Sequence, residues 1–430
     1  MNQRNKNRNK KVFLTVATLV GTTGAFLGCS GANESEKEIA SAKDGTIVVD
    51  GKTFEPLGAD WTSNARGAGV DSYGSADDPD GGAAPKSVLD RSESELAEDL
   101  RPILGRDGKL YRASEPATDL AHALKHGESL GKHVAGGSAS KQLYAPVDDS
   151  LHTDFLFNPG NPGHPQSTDY RTADDINSWP SRTVVFLAAT APDGATSNCT
   201  GTYVGAHTLI TAAHCVRLNG HSYGMNIVFT PGARGTNGVP TTMPFGQYNG
   251  CYDWWYPTAW DTTGDESYDY AVIDFRRCGN PTINRTGWMG VQENANSFPA
   301  EREDGYPGPY TVGSDGVDNA APLGTGTPGC GRTANPSGFY PFLCGSSGPA
   351  STNDYRLESD TLNDTPGDSG GPWWQWYTNH TDPRVDAVAS GYRSYFDFLK
   401  CGFDNCYRNY GHLVDTNYWN FIVAHSEIGH

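Results

Sequence analysis

The stretch NDTPGDSGGPWW, Asn363 to Trp374, crowds three glycines and two prolines around one serine, Ser369. Gly, Pro, Asp and Ser are turn formers, so the plain reading is a surface turn. The sharper reading is a reactive hydroxyl whose own backbone must come close to a substrate, because glycine permits close approach and positive φ. The stretch alone does not choose between them. The chain around it does.

Outward from Ser369, from about residue 168, runs such as RTVVFLAAT (182–190), CTGTYVGA (199–206), TLITAAHCV (208–216), YAVIDF (270–275) and DAVASGY (386–392) alternate with Gly, Pro, Asn and Asp. Short apolar, β-branched runs bounded by turn formers read as strands. YWNFIVAH (418–425) reads as one more strand-like run, and long helical periodicity is scarce except in the last dozen residues. Many short strands with turns between them predict an antiparallel sandwich or barrel, and 168–430 is long enough for two small barrels packed together.

Three side chains in this region make a chemical set. His214 stands directly after the strand-like TLIT, flanked by alanines and followed by Cys215. A bridge from Cys199 to Cys215 would pin the loop that carries His214. Asp269 immediately precedes the apolar run YAVI, where a carboxylate can be partly buried yet ionised if it is hydrogen-bonded. Asp274, at the far end of the same run, is its rival. A serine hydroxyl is a weak nucleophile until a base takes its proton. His214 is suited to that task, and Asp269 to holding the imidazole in one tautomer. The oxyanion formed on attack needs preorganised N–H donors, and the backbone amides of Gly367 and Ser369 are the candidates.

TAAHC, DYAVI and GDSGGP, in that order, resemble the chymotrypsin-fold (trypsin-like) serine peptidases, closest to the bacterial extracellular branch that includes the glutamyl endopeptidases. The resemblance covers 168–430. It implies an all-β fold of two six-stranded antiparallel β-barrels with a C-terminal helix. It also implies a triad of His214 as base, Asp269 as orienting acid and Ser369 as nucleophile, acting through an acyl-enzyme on protein or peptide substrates with no cofactor. Asp368 stands where trypsin-like members bind a newly formed N-terminus. No Ile-Val-Gly-Gly start is present, so another N-terminus or an arginine is its expected partner. The pocket-base position is Asn363 rather than Asp, with Asp364 beside it; Ser390 and Tyr392 are the candidates for the pocket wall.

The first residues, MNQRNKNRNKK, are basic, and an apolar run Val12–Gly28 follows. That is the layout of an export signal, here 1–28. FLGCS resembles the bacterial lipobox, which implies lipidation at Cys29 and attachment to a membrane surface; simple secretion with an incidental cysteine is the other reading. No other segment is long and apolar enough to span a bilayer. Residues 29–167 are polar and glycine-rich in runs such as Gly69–Lys86 and Gly160–Ser167, and read as a tether and a low-order propeptide region. One helix is expected within Val88–Leu104, stopping near Pro102. DDPDGG lacks the full calcium-loop pattern and reads as linker.

Of nine cysteines, eight follow residue 198: Cys199, Cys215, Cys251, Cys278, Cys330, Cys344, Cys401 and Cys406. An even number in an exported chain predicts four disulfides, most simply between sequence neighbours, although spacing does not fix connectivity. No pair has the spacing of a zinc site. The formal net charge of −18 argues against nucleic acid as a partner. Oligomeric state has no signal in the sequence.

Two rivals complete the reading. GDSGG also fits the GxSxG nucleophile elbow of α/β-hydrolases, with Asp382, Asp386, His412 and His425 available downstream. That fold needs βαβ alternation, and none surrounds Ser369. The other rival is a non-catalytic cell-surface binding module on a peptidase-like scaffold, the reading that loss of a triad residue would have favoured.

Overall fold

The computed structural model describes residues 45–58, 61, 90–131, 135–136, 175–177, 179–192, 194, 196–217, 226–236, 239–278, 283–296, 298, 301–306, 343–359, 368–377, 382–396 and 405–428. The chain is mostly β, built on two large antiparallel sheets. The expected export signal and Cys29 lie outside the described residues.

The first sheet begins with two hairpins of the N-terminal segment. Strands β1 (Ile47–Val49) and β2 (Lys52–Pro56) join through Asp50-Gly51, and β3 (Pro102–Arg106) and β4 (Lys109–Ala113) through Asp107-Gly108. All four turn residues have positive φ, which is what a two-residue hairpin turn demands and what Asp-Gly supplies. The remaining strands are β5 (Val184–Thr190), β6 (Thr196–Tyr203), β7 (Thr208–Thr211), β8 (Asn226–Pro231), β11 (Asp253–Pro257) and β12 (Ala271–Asp274). Between β8 and β11 a small separate hairpin pairs β9 (Arg234–Thr236) with β10 (Val239–Thr242). The order across the sheet is β1-β2-β4-β3-β11-β12-β7-β6-β5-β8. Six of its ten strands fall within 168–430, the number expected for that barrel.

The second sheet runs β15 (Cys344–Gly348), β14 (Glu301–Gly305), β18 (Pro372–Trp376), β19 (Pro383–Phe396), β20 (Asn405–Leu413), β17 (Arg356–Ser359) and β16 (Ser351–Asn353). A short β13 (Gly290–Val291) pairs with β19 in parallel. This sheet therefore carries one strand more than the expected six on its antiparallel path. The chain closes with a helix over Thr416–Ala424, capped by the Asp415 side chain accepting from the Tyr418 N–H at 2.8 Å.

The N-terminal segment corrects the expectation of low order within 29–167. Helices α1 (Glu93–Asp99) and α2 (Thr118–His126) pack beside the hairpins, and β3 pairs with β11 over five residue positions. α1 starts at a capping box, Ser92 with Glu95, later than Val88, and it ends at Asp99, ahead of the expected stop near Pro102, where β3 begins. The segment lacks a core of its own because it shares one. Phe54 meets Trp255 edge to face at 5.4 Å, and the pair lies in one buried cluster with Leu96, Leu104 and Trp254. Gly105 is required by this contact: a Cβ there would lie 1.7 Å from the Trp254 ring.

Among the buried carboxyls of the second sheet are Glu301 on β14 and Asp386 on β19, the two strands that flank β18. Burial raises Asp386 to about 7, against the hydrogen bonds it accepts from Tyr377 and Gln375. Burial and the charge of Asp386 hold Glu301 well above its usual range. A carboxyl whose folded pKa is raised favours the fold fully below its unfolded value and loses that contribution as pH rises toward the folded value. Asp386→Asn is therefore expected to lose less unfolding free energy than wild type between pH 4.5 and pH 8, by on the order of 2 kcal/mol. Urea titrations at the two pH values check this; equal losses in the two proteins would refute it.

Candidate active site

The two sheets each contribute one side of a compact polar set. On the first, β6 carries Cys199, and β7 runs into α3 (Ala213–Val216), which carries His214 and Cys215. Cys199 and Cys215 are bridged, with Cα atoms 5.8 Å apart, so strand and loop move as one. Cys251 and Cys278 form a second bridge. The Sγ positions of Cys330, Cys344, Cys401 and Cys406 lie outside the described residues.

Asp269 ends a 3-10 turn, Glu266–Tyr268, just before β12. Its carboxylate takes two bonds from one residue: the His214 backbone N–H at 3.0 Å and His214 Nδ1 at 2.8 Å. Ser390 on β19 donates a third, Oγ to Oδ2, at 2.6 Å. Asp269 is 2% exposed, and burial alone would raise its pKa. The His214 charge and the bonds from His214 and Ser390 outweigh burial and hold it below the ordinary carboxylate value. An ionised Asp269 fixes the proton of His214 on Nδ1 and leaves Nε2 as the acceptor.

Ser369 lies in the turn Asp368–Gly370 that leads into β18. Its carbonyl accepts the Thr200 N–H at 2.8 Å, which ties the turn to the residue next to Cys199. Gly370 has φ +80°, and a Cβ there would lie 2.0 Å from Thr211 Oγ1 and 3.0 Å from the Ala212 nitrogen. The glycine after the serine thus lets this turn press against the end of β7, three residues before His214. Asp368 is buried beside Gly305, and its carbonyl accepts the Gly371 N–H.

The other residues singled out in the sequence fall elsewhere. Asp274 is bound by Arg276, Nε to Oδ2 at 2.6 Å, and burial pushes it up to about 7. Asp382 pairs with Arg384, and His425 is buried and stacked on Trp255. His412 Nε2 lies 2.9 Å from the Ser267 carbonyl. These four rivals serve four separate local contacts, and the sheets around them are antiparallel apart from the short β13, with no βαβ unit among the described residues. Asn363, Asp364, Gly367 and the side chain of Tyr392 lie outside the described residues. Ser390, expected in the pocket wall, spends its hydroxyl on Asp269. No spacing in the sequence pointed to that bond, which arises only because β19 passes the end of β12.

Two groups of His, Cys, Asp and Glu among the described residues are close enough to consider as metal ligands. In the first, Cys199, His214 and Cys215, both sulfurs are bonded to each other, so they offer no thiolate. The second, Glu93, His122 and His126, is exposed on α1 and α2 and belongs to the N-terminal segment.

No protein-family profile matches the chain. The chain is 30% identical over 229 residues to an extracellular metalloprotease of Bacillus subtilis strain 168, covering 51% of this chain and 67% of that protein. It is 26% identical over 151 residues to a glutamyl endopeptidase of Bacillus licheniformis, covering 34% of this chain and 43% of that protein. Among solved structures, a Glu endopeptidase in complex with MPD aligns with 60% of this chain and 95% of its own, at 17% identity and a TM-score of 0.40. The metal in the first relative's name belongs to that protein; the donors beside Ser369 here do not make a metal site.

The protein is a serine endopeptidase, a hydrolase. It belongs to the chymotrypsin-fold serine peptidases, in the bacterial extracellular branch that includes the glutamyl endopeptidases.

Proposed function

We propose that His214, Asp269 and Ser369 form the catalytic triad of this peptidase and that it cleaves peptide bonds through an acyl-enzyme. The observation that carries the reading is the pair of bonds from His214 to the buried Asp269 carboxylate, beside the glycine-bounded turn of Ser369. His214 Nε2 takes the proton of Ser369 Oγ as that oxygen attacks the scissile carbonyl. The imidazolium so formed is stabilised by Asp269, which stays ionised. The oxyanion is received by the N–H groups of Gly367 and Ser369, each worth about 3 kcal/mol of barrier. His214 then returns the proton to the leaving amine, an acyl-enzyme remains on Ser369, and water repeats the sequence to release it.

The substrates of this reading are proteins and peptides. The chain is made as an exported precursor, held at the cell envelope by a lipid on Cys29 or secreted after processing. Cleavage preference is set by Asn363 and Asp364 at the pocket base, with Tyr392 narrowing the wall.

A digest of a proteome-derived peptide library, read by mass spectrometry, tests the assignment. Cuts that appear with wild type and vanish with Ser369→Ala are the expected result, and the residue before each cut then defines the pocket. Cuts that persist in the variant would overturn the triad. No cuts from either full-length protein would favour the binding-module reading.

A further inference from the structure

The turn that carries Asp269 is gripped from outside the peptidase region. Residues 265–268 immediately precede the acid, and Asp265 shapes the turn by accepting from the Ser267 N–H at 2.9 Å and the Ser267 hydroxyl at 2.7 Å. The other Asp265 oxygen takes a charged bond from Arg91 at 2.8 Å. Arg91 belongs to the N-terminal segment, just ahead of the α1 capping box. Its other nitrogen binds Asp99 at the end of α1, and its guanidinium lies over the Tyr268 ring at 5.4 Å from the centroid. Arg91 and Asp265 side chains are only 14% and 6% exposed, so solvent screens this pair weakly.

From the opposite side the second sheet holds the same turn. Arg356 binds Glu266 at 2.7 Å, and His412 Nε2 meets the Ser267 carbonyl. The turn is therefore suspended between Arg91 and Arg356, with the Asp269 N–H bound to the Glu266 carbonyl at its end. A carboxylate that must meet His214 at 2.8 Å inherits whatever error the turn contains.

The segment bearing Arg91 is firmly docked. β3 extends the sheet along β11, Arg106 binds Asp253, and Trp61 Nε1 reaches Asp261 at 3.0 Å. Beyond α2, the Leu130 N–H and carbonyl are held by Asn420 and Trp419 on the C-terminal helix at 2.6 and 2.7 Å. Arg91 thus acts on the turn from a fixed base. From α1 itself, Asp99 accepts from the Tyr268 hydroxyl at 3.5 Å.

We infer that Arg91 is a positioning residue for Asp269, and that the N-terminal segment holding it is a working part of the peptidase rather than only a covering to be shed. This rests on the triad assignment above. Without Arg91, Asp99 and Asp265 face each other with no cation between them. The turn relaxes, and the Asp269–His214 bond loosens in the state where the imidazolium forms. The loss falls on the chemical step, since Arg91 acts on the site through the turn that carries Asp269.

Steady-state kinetics of the full chain, on a peptide taken from the library digest, test this. Arg91→Ala is expected to lower kcat about 10- to 100-fold, the scale of a small misplacement of a reacting group, with KM within about threefold of wild type. Arg91→Lys, which keeps the charge but not the fork, is expected to fall between the two. Arg91→Ala combined with Asp265→Asn should be no worse than Arg91→Ala alone. Arg106→Ala removes an ion pair of the same segment away from the turn, so it should lower the melting temperature and leave kcat near wild type. The inference is overturned if Arg91→Ala keeps the wild-type kcat, or if Arg106→Ala loses as much kcat as Arg91→Ala. Failure of the triad reading looks different: wild type and Ser369→Ala would then cut alike or not at all.

Discussion

Ser369→Ala is expected to lower kcat by about 10⁶-fold, with KM little changed and the melting temperature within a few degrees of wild type. The hydroxyl is the group that bonds to the substrate carbonyl, and no neighbouring oxygen takes its place. Thr200 and Thr211, on the other sheet, lie against this turn. Thr211 Oγ1 is committed to the Thr200 carbonyl at 2.7 Å, and Thr200 Oγ1 accepts the Tyr306 N–H at 2.9 Å. The fold survives because the contacts that hold the turn are made by backbone: the Ser369 carbonyl to the Thr200 N–H, and the Gly370 N–H to the Ala389 carbonyl at 2.6 Å. Alanine keeps both. A loss of 10⁶ corresponds to about 8 kcal/mol of barrier. Stopped assays with a peptide substrate, beside labelling by a fluorophosphonate that reacts only with an activated serine, check the result. A variant that retains more than about a hundredth of the activity, or still takes the label, would remove Ser369 from the nucleophile's role.

The sequence made the peptidase region legible and the N-terminal segment poorly so, for a physical reason. From 182 onward several strands carry their own apolar run, as in VVFLAAT for β5 and AVID for β12, and those runs are largely buried. A strand that fills its own layer of core announces itself. β1 to β4 do not, because they complete their core with Trp254 and Trp255 from another part of the chain. Composition averaged over 29–167 therefore reads as poor in core residues, although the local signals were present. Asp50-Gly51 and Asp107-Gly108, each between short alternating runs, are hairpin turns, and Ser92 with Glu95 is a capping box.

The candidate site divides along the same line. His214, Asp269 and Ser369 stand at the ends of recognisable strands or inside a recognisable glycine cluster, so residue type and neighbours single them out. Ser390 and Arg91 do not. Ser390 meets Asp269 across 121 positions of sequence, and Arg91 meets Asp265 across 174. Both contacts depend on how β19 and α1 pass the β12 end, and that is decided by sheet order rather than by any local pattern.

Asp269→Asn is expected to lower kcat by about 10⁴-fold while leaving the fold and KM nearly unchanged. The argument lies in the proton count around one carboxylate. Asp269 accepts three bonds: the His214 backbone N–H on Oδ1, and His214 Nδ1 and Ser390 Oγ on Oδ2. Asparagine can keep the first only by placing its oxygen at Oδ1, because an amide N–H there would face another N–H. Its NH₂ then stands where Oδ2 was. One hydrogen donates to Ser390, whose hydroxyl turns to accept it, and the other donates to His214 Nδ1. Every polar atom is satisfied, so stability changes little. The imidazole, however, must now carry its proton on Nε2, and a protonated Nε2 cannot take the proton of Ser369. The imidazolium of the transition state also loses its negative partner. Asp274→Asn makes the contrast, because Asp274 is spent on Arg276 at the far end of β12. That variant should keep kcat within a few-fold of wild type. Parallel kcat and melting measurements on the two variants decide the assignment. If Asp269→Asn stays within tenfold of wild type while Asp274→Asn loses the larger share, the orienting acid is Asp274 and the bond between Asp269 and His214 is structural only.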